Sequence, residues 1–523
     1  MRRAHVVGLA LLTLVGGWLR FSATGFGLPD KYRPDEEYML SRALGFERDW
    51  NPHFAVYPAA HMYVQHAVLR GYALLVGYRT SFREVYAPDR QALAYLVARR
   101  TSAAFGTATI PAVYLAGARA FGPTSALAAA AILTFSTIHV RDSKYATTDA
   151  ATAFWLTIAI WLTMRVIHRG RVLDSLLAGL VTGLAIANKY PAGALLLGVA
   201  VAHVEARWRE GRSLWRVFRD LRPYVAAYAA VVTFLCATPY LVLDWPQTVK
   251  DFAYQRGFLE RGVGNELAGW GWSWLFLKLM PDSFGLAVMG LLLAGLAWAV
   301  LRPRLGTLSL ATFVVVAFFG MTSSRYSFYR YILVPLPALV VLAGRVVGDA
   351  HSLLATRLAP ARAGLVTAAL LALVLMPSAI RDWKLNRILG RRDTRTLARE
   401  WIESNVPRPA KIAATDHRTP YGKPQLPSGY SLIEIEEVAS LRANGVRFVI
   451  ADSSPLSFYS PGPTPAQLRD LERNARLVLD LDPSDPGGSP PPVFDMADAF
   501  YAPLQHASSM KRPGPRIRIW QID

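Results

Sequence analysis

Tyr32-Arg33-Pro34-Asp35-Glu36-Glu37-Tyr38 stands shortly after the first membrane-length apolar run, Ala4 to Leu19, in a chain that otherwise keeps charge out of such runs. Carboxylates in that position mark a functional site by default. Locally the same residues also make an ordinary helix start, with Pro34 at the first helical position and acids in the first turn facing the positive end of the dipole. The apolar run is preceded by Arg2 and Arg3 and gives way to a polar segment, 21–58. It reads as a retained signal-anchor helix because many further spans follow; the alternative is a signal peptide with Ser22-Ala23-Thr24 at its cleavage site.

Composition sets the class. With 53% hydrophobic and 18% charged residues over 523 positions, and a mean hydropathy of +0.24, the chain does not describe one water-soluble core. It is a polytopic α-helical membrane protein. The net charge of +20 would suggest nucleic acid in a soluble chain. Here the basic residues sit between apolar runs, so they read as topology signals and contacts to anionic membrane lipids, and no nucleic-acid partner is expected. The single Cys236 lies inside an apolar run, which excludes an intramolecular disulfide and a cysteine-based metal cluster.

Further apolar runs fall at 93–118, 124–138, 150–167, 173–187, 192–204, 224–243, 284–301, 305–321, 331–347 and 364–376. With the first they make roughly eleven spans, several near the minimum length for a bilayer. Alternate connectors carry the arginines: Arg165, Arg169 and Arg171; Arg207 to Arg222; Arg302 and Arg304; Arg345, Arg357 and Arg362. All fall on one side if the N-terminus is cytoplasmic. Asp35, segment 142–149, loop 240–270, segment 326–330 and the C-terminal tail are then extracytoplasmic. Segment 61–77, with Gln65, His66 and Arg70, suits an interfacial helix better than a span.

From about residue 381 short alternating runs appear, such as 411–415 and 447–451, with amphipathic helices expected over 394–405 and 464–475 and a closing strand over 517–522. The expected organisation is therefore a transmembrane catalytic domain, 1–380, with a large first outer loop, 21–92, and a small α/β extracytoplasmic domain, 381–523. Segment 482–492, rich in Pro, Gly and Ser, reads as a mobile loop. The absence of an internal repeat counts against transporter folds built from repeated halves.

Candidate chemistry gathers at the outer ends of the spans. His139-Val-Arg141-Asp142-Ser-Lys144-Tyr-Ala-Thr-Thr-Asp149 puts two acids and two bases between two apolar runs, although a bare connecting loop also explains it. Ser323-Ser-Arg325-Tyr-Ser-Phe-Tyr-Arg330-Tyr331-Ile-Leu-Val-Pro335 is basic and tyrosine-rich, either as a site or as an aromatic belt with snorkelling arginines. Asn188-Lys189-Tyr190-Pro191 places a lysine at a hairpin tip. Together these suit sugar transfer from a lipid-linked phosphate. A carboxylate accepts the acceptor's proton, and Arg325, Arg330, Lys189 and Tyr331 bind the leaving phosphate without a metal.

The chain resembles the large-loop membrane glycosyltransferases of the GT-C class, family 39, which holds protein O-mannosyltransferases and the lipid A aminoarabinose transferase. The resemblance covers nearly the whole chain. Asp35-Glu36 matches the family's acidic pair after the first helix, which implies that Asp35 is the catalytic base. Asp149 matches a second family acid, and Arg330-Tyr331-Ile-Leu-Val-Pro335 matches the start of a late helix, with Tyr331 and its arginine at the donor phosphate. Lys189-Tyr190 resembles the family's Lys-Tyr step, and 393–407 is similar to the start of the periplasmic domain in bacterial members. One departure is Tyr57-Pro58-Ala59-Ala60-His61, where the family has Pro-Pro-Leu; this bears on the acceptor side.

The expectation is an inverting hexosyl- or pentosyltransferase in the bacterial cytoplasmic membrane, using a polyprenyl-phosphate sugar donor and a lipid, glycan or protein acceptor. Catalytic residues are Asp35, Glu36 and Asp149, with Glu36 and Asp149 orienting the acceptor or holding the loop. Arg325, Arg330, Tyr331 and Lys189 bind donor phosphate, and Arg141, Lys144 and His61 support the acceptor or the loop. No cofactor is required. A divalent cation is conceivable because related oligosaccharyltransferases pair such acids around one, but the basic cluster argues against it. His53, His61 and His66 have no convincing zinc spacing. A transporter or flippase for an anionic glycolipid is the alternative, and an accessory subunit of envelope assembly a third reading.

Overall fold

The computed structural model describes residues 2–77, 86, 90–211, 219–261, 271–323, 328–415, 421–456, 461–488, 490–495 and 498–523. The chain forms two compact units. One comprises Met1–Phe21 and Tyr38–Asp382; the other comprises Ser22–Glu37 and Trp383–Asp523.

The first unit is helical. Helices long and apolar enough to cross a membrane are Arg3–Phe21, Asp149–Arg169, Leu336–Ala355 and one within the stretch Pro360–Asn405. Shorter apolar helices are Pro123–Thr134, Val172–Asn188, Leu221–Ala237, Leu286–Leu301 and Thr307–Thr322. A longer helix, Gln91–Phe121, carries Pro111 inside it. Where helices meet, side chains are small, as expected where the hydrophobic effect cannot drive association and backbones must approach closely. A Cβ on Gly179 would lie 2.1 Å from the Ala226 carbonyl oxygen, and one on Gly183 would lie 2.4 Å from that of Ala230. These glycines, one helical turn apart, seat Val172–Asn188 against Leu221–Ala237. Gly344 and Gly348 do the same against Ser125.

Two elements differ from the sequence expectation, and a third, segment 61–77, is helical as expected. The run 124–138 is not one helix: it stops at Thr134 and restarts as the short helix Thr137–Asp142. Run 331–347 begins as a 3-10 turn, Tyr329–Leu333, before the helix Leu336–Ala355. Pro335 and Pro337 lack the N–H groups that regular helix would need there. Segment 61–77 folds as the helix Ala60–Leu75, with His61, Gln65 and His66 buried and Val68, Leu74 and Leu75 exposed. Met62, Leu69 and Ala73 are buried as well, and the exposed apolar residues suit a helix lying at a membrane interface.

The second unit is a three-layer α/β sandwich. Its sheet has the order β2-β1-β3-β5-β4, from β1 (Ala410–Ala414), β2 (Tyr430–Ile433), β3 (Phe448–Ser453), β4 (Arg476–Leu481) and β5 (Arg516–Gln521). β1 is parallel to β2 and β3, while β5 is antiparallel to β3 and β4. Alternation along the strands builds two cores. Ile412, Ala414, Ile450, Ile517 and Ile519 pack with Ala398 and Ile402 of the helix Thr394–Asn405. The opposite face, Ala413, Val449, Ala451 and Trp520, packs with Val438, Leu441 and Leu471, which come from the helices Val438–Ala443 and Pro465–Asn474. Thr464 and Gln467 close the last of these with a reciprocal capping box.

Segment 482–492, read as a mobile loop, is hydrogen-bonded at several of its described residues. Asp485 N–H donates to Ser509 O at 2.8 Å, Ser509 Oγ donates to Pro490 O at 2.6 Å, and His506 Nδ1 lies 2.8 Å from Pro491 O. Non-local partners, which composition does not reveal, supply the order.

Candidate active site

Asp149 opens the helix Asp149–Arg169, where a carboxylate is favoured by the helix dipole and by unpaired N–H groups. Its Oδ2 accepts from Thr147 Oγ1 at 3.0 Å, and its Oδ1 is ion-paired with Lys189. Lys189 has extended backbone between the helix Val172–Asn188 and the 3-10 turn Tyr190–Ala194. The α-helix cannot continue through that point, because Pro191 has no N–H to give the Ala187 carbonyl and its ring would clash with that oxygen. The break turns the lysine inward: its side chain is 5% exposed, against 3% for Asp149.

The Lys189 ammonium also lies 5.0 Å from the centroid of the Tyr331 ring, within cation–π range. Tyr331 sits on the 3-10 turn that precedes Leu336–Ala355, beside Phe328. Its neighbour Arg330 is buried, stacks on Phe328 at 4.5 Å and donates from Nη2 to Tyr57 Oη at 3.3 Å. Tyr329 points the other way and donates to Asp282 Oδ2 at 2.6 Å. The turn thus aims successive side chains at different partners.

Lys189, Tyr331 and Tyr57 line a cavity of about 560 Å³ whose other walls include Pro191, Val316, Ala317, Met321 and Val334. Apolar walls with a cation and phenol rings among the lining residues suit an amphiphilic anion, a chain carrying a phosphate.

The remaining proposed residues of this unit are placed as follows. Arg141 pairs with Asp142, Nε to Oδ2 at 3.0 Å, both buried. Lys144 Nζ donates to the carbonyls of Leu19 at 2.6 Å and Arg20 at 3.4 Å, capping the C-terminal end of the first helix. Burial, reinforced by the charge of Arg20 and opposed by Asp382, pushes Lys144 down to about 7. His61 is fully buried with its ring against Phe105. Burial pushes it down to about 4, with Asp149 pulling upward. Arg325 lies outside the described residues.

In the second unit, Asp35 is half-buried, Glu36 buried and Glu37 exposed in the first turn of the helix Pro34–Gly45. The structure therefore brings Asp149, Lys189, Tyr331, Arg330 and Tyr57 together within the membrane unit, while Asp35 and Glu36 are in the unit of the C-terminal sheet. Tyr57 and Tyr190 line the cavity and were not among the site residues expected from the sequence. Tyr190 lines the cavity and donates to Ala55 O at 2.7 Å. Both neighbour motifs already singled out, Lys189 and the Pro58 departure, and that adjacency was the available signal.

Among solved structures the chain is similar to apo ArnT from Cupriavidus metallidurans, at 16% identity and TM-score 0.52, covering 99% of this chain and 98% of that one. A second ArnT structure, bound to undecaprenyl phosphate, matches at 19% identity and TM-score 0.50 over 77% of this chain and 72% of that chain. The oligosaccharyltransferase AglB from Archaeoglobus fulgidus, in complex with an inhibitory peptide and a dolichol-phosphate, matches at 13% identity and TM-score 0.52, covering 97% of this chain and 77% of that one. No curated protein matches the chain in sequence. Residues 94–243 match the family model of dolichyl-phosphate-mannose-protein mannosyltransferase.

The chain has the GT-C fold. The matched stretch of this GT-C chain contains Asp149, Lys189 and the helices between them. The fold is that of the class, a helical membrane unit with a small C-terminal sheet domain.

Proposed function

We propose that this protein is an inverting glycosyltransferase that moves a sugar from a polyprenyl-phosphate carrier to an acceptor hydroxyl or amine at the outer face of the cytoplasmic membrane. The observation that carries the reading is Lys189, a buried ammonium at the wall of an apolar cavity, shared between Asp149 and the face of Tyr331. The polyprenyl chain takes the apolar walls and its phosphate takes the lysine end. Breaking the anomeric C–O bond converts a phosphodiester into a phosphomonoester and adds negative charge to the leaving group. Lys189, Arg330 and the Tyr331 hydroxyl stabilise that charge in a site of low dielectric.

Asp35 accepts the acceptor's proton as its oxygen or nitrogen bonds to the anomeric carbon from the opposite side, and the carrier departs as polyprenyl phosphate. Glu36 and Asp149 orient the acceptor or hold the loops; Arg141, Lys144 and His61 support them. The donor set at Asp149 does not fit a divalent cation, since the Lys189 ammonium already occupies one carboxylate oxygen and Thr147 donates to the other. The reaction is accordingly written without a metal.

The test is release of polyprenyl phosphate from a panel of polyprenyl-phospho-sugars by the purified protein in lipid, with cell-envelope extract as acceptor. Release is expected for one donor class in wild type and is expected to be lost in Asp35→Asn. Full release by a folded Asp35→Asn protein removes the base assignment. Binding of donors with no release from any of them favours a carrier instead.

A further inference from the structure

The segment leading into the acidic triplet is held residue by residue by the C-terminal part of the same unit. Asp30 pairs with Arg399 and accepts from Thr396 Oγ1 at 3.0 Å. The amide side chain of Gln425 engages both main-chain groups of Lys31, accepting from its N–H at 3.0 Å and donating to its carbonyl. Tyr32 lies face-on beneath the Arg395 guanidinium, 3.6 Å from ring centroid to Cζ, and its N–H donates to Tyr501 Oη at 3.3 Å. Arg33 is paired with Asp498 at 3.2 Å, both side chains buried. Pro34 and Asp35 come next in the chain.

The platform under Tyr32 is itself rigid. Arg395 is bidentate to Asp393, Nε to Oδ1 at 2.8 Å and Nη2 to Oδ2 at 2.7 Å. Its remaining donors go to the carbonyls of Tyr421 and Phe500. A planar fork fixed on four acceptors leaves one face for an aromatic ring, and an ammonium cannot replace it. Consecutive residues are thus fixed up to two positions before Asp35, so a shift of the segment passes directly into the placement of that carboxylate. Catalytic groups need placement to within a fraction of an ångström, held by supporting residues.

We infer that Arg395, through Tyr32, and Gln425, through Lys31, are positioning residues for Asp35, and that the C-terminal domain serves as the holder of the catalytic base. The inference rests on the assignment of Asp35 proposed above. Tyr32→Leu removes the stacked ring while leaving Arg395 on Asp393 and its carbonyls. Gln425→Ala removes the two main-chain contacts and leaves the buried ionic network in place.

The experiment uses full-length protein in lipid, turning over the polyprenyl-phospho-sugar that supports release, together with hydrogen exchange of peptides covering 22–37 and β1 to β5. Expected for Tyr32→Leu is a kcat lower by about 10- to 100-fold, a donor KM within about twofold of wild type, faster exchange over 22–37, and unchanged protection of the strands. Gln425→Ala should show the same pattern to a smaller degree, and it decides the matter if Tyr32→Leu loses strand protection. Unchanged exchange over 22–37, or faster exchange with unchanged kcat, overturns the inference. Asp35→Asn is measured alongside. If it is inactive while both positioning variants keep wild-type kcat, the holder role fails and the base assignment stands; if it is fully active, the base assignment itself falls and the positioning role with it.

Discussion

Lys189 and Asp149, 40 positions apart in the chain, form a buried ion pair inside the membrane unit. The carboxylate compensates the lysine's charge, and in the proposed reaction the ammonium shares that charge with an incoming phosphate. A buried pair of this kind costs desolvation and is weak evidence for stability on its own, which makes a functional reason for keeping it more telling.

Removing one partner leaves the other charge uncompensated. Lys189→Met should destabilise the protein by about 3–5 kcal/mol, read as a lower thermal unfolding midpoint in detergent. Lys189→Met combined with Asp149→Leu should recover much of that loss, since neither charge is then buried alone. Polyprenyl phosphate release should stay abolished in the double variant; recovery of release along with stability would show the pair to be structural only.

Tyr331 offers Lys189 a ring face and, in the proposed reaction, the phosphate a hydroxyl, and two substitutions separate the roles. Tyr331→Phe keeps the face, so its deficit reports the hydroxyl. Tyr331→Leu should lose a further ~0.5–2 kcal/mol of cation–π interaction, seen as weaker binding in a polyprenyl phosphate titration. Equal affinity for Phe and Leu variants would show that the ring face contributes nothing.

His61 is buried neutral, its folded-state value pushed down to about 4 from 6.5 by burial. The unfolded chain takes up a proton at this residue first as pH falls. Stability is therefore fully present above about pH 6.5 and declines as pH drops toward 4, by a total on the order of 3 kcal/mol. His61→Gln should flatten that part of the stability profile, measured as unfolding midpoints between pH 4 and 7.5. A wild-type profile already flat over that range would contradict a buried neutral imidazole.

Because an ammonium occupies Asp149, turnover should survive extensive chelation. Release measured in excess EDTA is expected at the untreated rate; loss of release that a divalent cation restores would place a metal in the reaction.

Much of this was legible along the chain. The helix 394–405 is where its amphipathic spacing put it, as Thr394–Asn405. Asp149 and Lys189 stood out as charges between apolar runs, and the Tyr331 segment stood out by its arginines and tyrosines. Their meeting was not legible, because an ion pair between residues 40 positions apart leaves no periodic trace. The clamp on 22–37 was hidden for the same reason: Tyr32 reaches Tyr501 across 469 positions and Asp30 reaches Thr396 across 366. Read linearly, that segment belonged to an outer loop of the membrane domain; by its contacts it groups with the C-terminal sheet.

The sequence by itself determined the class of molecule, the membrane runs, three of the five strands of the C-terminal sheet and the identities of the unusual charges. Those follow from transfer free energies and side-chain periodicity, which are sums over neighbouring residues. Only the tertiary structure decided that Lys189 is shared between Asp149 and Tyr331 at an apolar cavity, and that Asp30 to Arg33 are gripped by distant residues. Short-range electrostatics and hydrogen bonds act over a few ångströms of space, whatever the separation along the chain.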